Sequence, residues 1–383
     1  MTNRTTTQKS RKKQAEKTEQ SQYLIASTSI QVLKDLPTPF VLSQCVLYKH
    51  EIIICGGYEE RACYSYHTLK NEYKFICEYP SDVTLIGHCV VKLIDNNSKE
   101  RNQITLLSFG GYYKHALVMK YVSIWSNDDN NDNKNEKSES NELNKLKKPN
   151  NCNEWVPFTD DHNNPIIIGR DNDEYMGVRA VIDGSNNHLL FITYSSKNIS
   201  VFDLNRFQFI KHDTLPTSNY IHYHCFVSKS ANRQKVTKTN EEKNESKKKL
   251  NNEMLLFCEK TGLSITYDED SNTFQYYKLG ICKNISSFSQ YAYVFINDAI
   301  LFFGGYGHKA VHGLHLNILC PCDCMVVLEI LSEDNNYIHI IGGCNDKIIS
   351  ISANMKTKVD VWRDASHLVI FFLTFLNYIH FFL

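Results

Sequence analysis

Ile52-Ile53-Ile54-Cys55-Gly56-Gly57-Tyr58 decides the fold of this 383-residue chain, because the same arrangement returns along its length. An apolar run closed by two glycines recurs as Leu106-Leu107-Ser108-Phe109-Gly110-Gly111-Tyr112, Ile300-Leu301-Phe302-Phe303-Gly304-Gly305-Tyr306 and Ile338-His339-Ile340-Ile341-Gly342-Gly343. The first two pairs stand 54 residues apart and the last two 38, while 194 separate the second from the third. A period near 50 residues marks a repeat array. Each glycine pair ends a buried strand at a sharp turn, where a residue without Cβ can take a positive φ at no steric cost.

A second signal recurs in several units, though the fifth and sixth lack a clear second aromatic: an aromatic, a turn, and another aromatic seven positions on. Tyr66 and Tyr73, Phe202 and Phe209, and Tyr267 and Phe274 fit this spacing. The residues between them are turn formers, such as Asp203-Leu204-Asn205-Arg206 and Asp268-Glu269-Asp270-Ser271-Asn272. In the second unit the spacing assigns these places to Trp125 and Trp155, with a polar insert in the turn between them.

Composition narrows the function classes. Lys plus Arg and Asp plus Glu are both 42, so the overall charge gives no reason to expect a nucleic acid or an anionic membrane as partner. The 22 Tyr and 20 Phe against 3 Trp suit half-buried strands. The 13 Cys are odd in number and mostly sit inside apolar runs, as Cys45, Cys55, Cys89 and Cys258 do, where a free thiol acts as a small hydrophobe. The start of the chain lacks an apolar signal segment, so a cytoplasmic protein with reduced thiols is expected.

Residues 1–35 read as a disordered polar tail. Two low-complexity inserts, about 126–153 and 229–251, are too polar to bury and are expected to be disordered excursions. Without them, roughly 46 residues remain for each of six units. Residues 365–383 form an apolar C-terminal tail. A helix over its sixteen uncharged residues from Leu368 reaches about 24 Å, short of the roughly 30 Å hydrocarbon core. Three readings stay open for it: a membrane anchor, a strand that closes the fold, or an end unrelated to the repeats.

The apolar strand, Gly-Gly, Tyr and later aromatic resemble the kelch repeat family over roughly residues 37–362. The resemblance implies an all-β, kelch-type β-propeller, here of six blades of four antiparallel strands within 36–364. Gly56, Gly57, Gly110, Gly111, Gly304, Gly305, Gly342 and Gly343 would be its structural glycines. The third and fourth units depart from the pattern, with Thr193-Tyr194 and Glu259-Lys260 near the expected pair.

Chemical motifs are sparse. Cys320-Pro321-Cys322-Asp323-Cys324 lacks the second cysteine pair of a zinc site. His222 and His224 share a strand face and invite a metal, but an alternation with Ile221, Tyr223 and Cys225 inward would simply turn both histidines outward. Nucleophile-elbow, phosphate-loop and metalloprotease motifs are missing. The expectation is therefore a non-catalytic, monomeric interaction module without cofactor or metal, acting as a scaffold or adaptor for a protein partner. The loops after the glycine pairs are its candidate contacts: Tyr58 and Arg61, then Tyr112, Tyr113 and His115, then Tyr306 and His308. The alternatives are a kelch-fold enzyme such as a metal-dependent oxidase, and a membrane-tethered structural protein held by residues 365–383.

Overall fold

The computed structural model describes residues 30–94, 103–125, 152–229, 252–281, 286, 288–296, 299–303, 306–307, 326–331, 336–343 and 351–358. These residues form strands and turns, with no helix among them. After β1 (Ile30–Val32), the first blade comprises β2 (Gln44–Tyr48), β3 (Glu51–Cys55), β4 (Ala62–His67) and β5 (Glu72–Glu78). The second comprises β6 (His88–Leu93), β7 (Gln103–Gly110), β8 (His115–Val122) and the short β9 (Val156–Pro157). The third runs β10 (Arg179–Asp183), β11 (Leu189–Tyr194), β12 (Asn198–Asp203) and β13 (Gln208–Thr214). The fourth runs β14 (Cys225–Ser228), β15 (Asn252–Cys258), β16 (Thr261–Asp268) and β17 (Thr273–Lys278). Each is a four-stranded antiparallel meander in chain order.

The remaining strands depart from that plan. β18 (Phe288–Ser289) pairs with β21 (Tyr306–Gly307), and β19 (Ala292–Ile296) forms a two-stranded hairpin with β20 (Ala299–Phe303). The last sheet joins β22 (Val326–Leu331), β23 (Asn336–Ile341) and β24 (Asn354–Lys358) to β1 from the other end of the chain. The described residues thus make a β-propeller with five four-stranded blades, not six. The β19–β20 hairpin lies between the fourth blade and the last sheet, with β19 against β14 on one side and β22 on the other.

Residues 30–35, expected to belong to a polar tail, begin instead with a strand. Ile30, Gln31 and Val32 pair with Thr357, Lys356 and Met355, and Leu36 is buried. Residues 1–29, 126–151, 230–251 and 359–383, with them the apolar tail, lie outside the described residues, as do Gly304, Gly305, His308 and Cys320 to Cys324.

The continuous apolar runs have a simple cause: each second strand is sandwiched between two neighbours. Successive side chains point to opposite sheet faces. Ile53 and Cys55 pack with Leu106, Leu117 and Met119 of the second blade. Ile52 and Ile54, on the other face, pack with Phe40 and with Ile341 of the last blade. Leu107 and Phe109 meet Leu190 and Ile192, whereas Phe191 meets Leu256, Leu263 and Ile265. Both faces of β3, β7 and β11 are therefore core, and each large side chain so buried is worth about 1.5–3 kcal/mol.

The aromatic spacing reads correctly in three blades. Tyr66 lies opposite Tyr73, Phe202 opposite Phe209 and Tyr267 opposite Phe274 across the third and fourth strands. Their ring centroids are 4.8, 5.1 and 4.9 Å apart. In the second blade the spacing misleads. Tyr121, not Trp125, takes the third-strand place, opposite Ile104 as Tyr66 is opposite Ile52. Both tryptophans dock instead on the first blade. Trp125 Nε1 donates to Ser65 Oγ at 2.9 Å, and Trp155 stacks on Tyr79 at 4.6 Å. Ser65 and the Tyr121 hydroxyl both donate to the buried Glu51 carboxylate, so a polar clasp joins the first two blades.

Candidate recognition face

In a four-stranded meander the strands alternate in direction, so the loops between second and third strands share one end with the connections from blade to blade. Backbone hydrogen bonds knit that end together. Tyr58 N donates to Val41 O at 2.7 Å, Glu59 N to Leu85 O at 2.9 Å and Tyr112 N to Ile86 O at 2.9 Å. Nearer the axis, Gly177 N donates to Gly87 O and Tyr223 N to Gly177 O, both at 2.8 Å, while Gly343 N reaches Phe40 O at 3.0 Å. Loops held by main-chain bonds on a rigid sheet scaffold keep their shape, which is what recognition surfaces need.

The glycine pairs make these tight connections possible. Gly56, Gly110 and Gly342 have φ of 59, 79 and 67°, and Gly111 and Gly343 are likewise positive. Gly57 is not, but a Cβ there would stand 2.8 Å from Val41 O. Where the pair is missing, Ser196 and Lys197 in the third blade and Glu259 in the fourth adopt positive φ in its place.

The expected contact residues divide into two kinds. Tyr58, Tyr112 and Tyr113 are exposed, at 49, 60 and 56% of their surface. Arg61 is largely tied down: it donates to Glu78 Oε2 and to Tyr79 O, each at 3.3 Å. His115 is not a face residue. Its Nε2 shares a 2.8 Å hydrogen bond with Ser108 Oγ, which also accepts from the Tyr79 hydroxyl at 3.0 Å. Tyr306 forms part of β21, and His308 lies outside the described residues.

Sequence reasoning missed three residues at this end. Tyr220 and Ile167, exposed at 68 and 73%, lie on connections between blades. Their neighbourhoods, Thr217-Ser218-Asn219 and Asn163-Asn164-Pro165, carry turn signals that could have flagged exposed loops. Arg179 opens β10 and packs its guanidinium over the Tyr223 ring at 5.7 Å; nothing in its spacing distinguishes it.

Three histidines are buried, His88, His224 and His339. His224, expected to face outward, is fully buried and shares a 2.6 Å hydrogen bond with Thr193 Oγ1. Residues 221–224 precede β14 rather than belonging to it, so strand alternation does not apply to them. Desolvation by burial holds His224 well below the usual histidine range, His88 down at about 3 and His115 at about 4. Burial likewise pushes the Cys89 thiol up to about 11 and Cys45 and Cys258 up to about 12, which disfavours thiolate. Among the described residues, no three His, Cys, Asp or Glu side chains are grouped to share a metal ion.

No family model matches the chain, and no curated protein matches it. Several solved structures are similar in fold. The structure of YjhT is 11% identical, covers 85% of this chain and 96% of that one, and gives a TM-score of 0.49. Sqt1 of Saccharomyces cerevisiae is 9% identical over 86% of this chain and 72% of that one, with a TM-score of 0.33. A structural-genomics protein of unknown function from Bacteroides thetaiotaomicron is 7% identical, with 86% and 75% covered and a TM-score of 0.45.

Proposed function

We propose that this propeller is a non-catalytic interaction module of kelch type, binding a protein partner through the end that carries the second-to-third-strand loops. One observation carries the reading: Tyr58, Tyr112, Tyr113, Tyr220 and Ile167 are all exposed at that end. Tyrosine offers large contact area with few rotatable bonds and a polar tip, and it is enriched at protein interfaces. The opposite end exposes Leu69 and Ile94. The family reading is supported by the glycine turns and the three aromatic pairs. A reducing, cytoplasmic setting is supported by the described cysteines, all of which are free thiols.

The test is proximity crosslinking and affinity capture with full-length protein, comparing a Tyr58→Ala/Tyr112→Ala/Tyr220→Ala variant with Leu69→Ser/Ile94→Ser. The tyrosine variant should lose its specific partner while keeping the wild-type Tm, and the control should keep the partner. Loss in the control with retention in the tyrosine variant overturns the assignment of the face.

A further inference from the structure

The innermost strands β2, β6, β10 and β14 adjoin one another around the axis, and Arg179 is the first residue of β10, at the loop-bearing end. Its surroundings are unusual for a guanidinium. Arg179 is half-buried, and among the described residues its guanidinium donates one hydrogen bond, from Nη1 to the neighbouring Val178 O at 3.0 Å, and forms no ion pair with a carboxylate. Arginine cannot shed its charge, and a half-buried charge without a counter-ion costs free energy.

Among the described residues, the neighbouring groups leave the guanidinium without a paired carboxylate. Tyr223 lies beneath the guanidinium, its ring centroid 5.7 Å from Cζ; a Cβ on either Gly87 or Gly177 would collide with this ring. His222 stands on the same connection as Tyr223 and shares a 3.3 Å hydrogen bond with Gln290, just ahead of β19. The nearest acids make their hydrogen bonds elsewhere, Glu174 accepting from Ser195 Oγ and Glu259 from Asn219 Nδ2, and neither forms an ion pair with Arg179. Burial, with the Arg179 charge as a further cause, lowers the pKa of His224, and that charge also bears on His88 and His222. The Arg179 field thus reaches His88 at the start of β6 and His222 and His224 ahead of β14; Glu259 and Glu174 oppose it at His222, but neither pairs with the guanidinium.

We propose that Arg179, stacked on Tyr223, anchors a carboxylate-binding site at the loop-bearing end of the propeller axis, with His222 and Gln290 beside it. A planar guanidinium held on an aromatic face presents its free edge for a bidentate carboxylate contact. The carboxylate comes either from a free small acid or from an acidic side chain of a protein, and the site does not depend on the tyrosine surface binding a partner.

The test uses the wild-type protein. Phenylglyoxal modification of Arg179 and Arg61 is followed by mass spectrometry in sodium chloride, sodium glutarate or a blocked tetraglutamate peptide, at equal ionic strength. Glutarate or the peptide should slow modification of Arg179 severalfold and leave Arg61 unchanged. Protection by both, or by glutarate alone, assigns a free acid as sufficient; protection by the peptide alone assigns an acidic protein segment. Equal Arg179 rates in all three solutions overturn the proposal. Calorimetric titration of Arg179→Gln with whichever probe protects should show binding weakened at least tenfold. Undiminished binding would place the site elsewhere and also overturn it; a variant that fails to fold leaves the wild-type protection result to decide.

Discussion

At Gly110 a single missing methyl group controls the approach of two blades. Its φ is 79°, and a Cβ would come within 2.8 Å of Val178 Cγ1, on the connection into the third blade. Gly342 combines a φ of 67° with a would-be contact of 2.5 Å to Phe40 O, a backbone atom that cannot swing away. Gly280 is the natural comparison, with no atom within 4 Å of its would-be Cβ and no positive φ. Gly110→Val and Gly342→Ala should therefore each destabilise the protein by about 2–4 kcal/mol, from backbone strain plus collision. Gly280→Ala should stay within about 0.5 kcal/mol of wild type. Chemical unfolding of the three variants checks this, and an unchanged midpoint for both Gly110→Val and Gly342→Ala would contradict the assigned turn geometry.

β1 is the element whose loss should matter most for its size. Its three residues complete the last sheet on the outer side of β24, so strands from both ends of the chain share one blade. The connection continues past it, where Leu33 N and Leu36 N donate to Asn354 O and Ser352 O, both at 2.8 Å. The Tyr73 hydroxyl donates to Lys34 O at 3.1 Å and accepts from Asn354 Nδ2 at 2.6 Å, tying the first blade to this closure. A ring held by strand pairing between distant chain segments loses that constraint when one partner is removed. Deleting residues 1–36 should lower the Tm by several degrees and make the last sheet the fastest to exchange its amide hydrogens. Deleting residues 1–29 alone, which leaves β1 in place, should preserve the wild-type Tm. Equal melting of the two deletions would remove β1 from the closure.

Acid should weaken the whole molecule, because buried neutral histidines are spread over several of its blades. Burial lowers His88 to about 3, and His115 and His339 to about 4; in the unfolded chain each returns to about 6.5. A group with a depressed folded pKa keeps its proton off in the native state while the unfolded chain binds one. Its contribution to stability is complete above pH 6.5 and is lost as pH falls from 6.5 towards 3 or 4. Each pKa unit is worth about 1.4 kcal/mol, so at pH 5 each such histidine costs about 2 kcal/mol relative to neutral pH. Stability measured by denaturant between pH 7 and pH 4.5 should fall accordingly. His88→Gln, able to retain a donor to Cys55 O, should reduce the slope by close to one proton; an unchanged slope would mean that His88 titrates alike in both states.

The sequence by itself determined the parts of this protein whose causes are local. Second strands read as unbroken apolar runs because both of their faces are buried, and the glycines after them mark turns that side chains would strain or crowd. Tyr66 and Tyr73, or Tyr267 and Phe274, lie seven residues apart across one hairpin, so turn chemistry alone brings them opposite each other. Tertiary structure decided the rest. In the second blade the turn is long, so spacing no longer dictates pairing, and Trp125 and Trp155 find their places on the first blade through contacts far away in sequence. His224 is buried and His115 half-buried by neighbouring strands and partners that no local pattern announces, while Tyr220 and Ile167 are left exposed by the same packing. Pairing of Ile30 with Thr357 joins chain ends whose local sequences carry no sign of each other. Local propensity sets backbone turns and strands; which side chain is buried, exposed or left facing an unpaired charge depends on what distant segments bring against it.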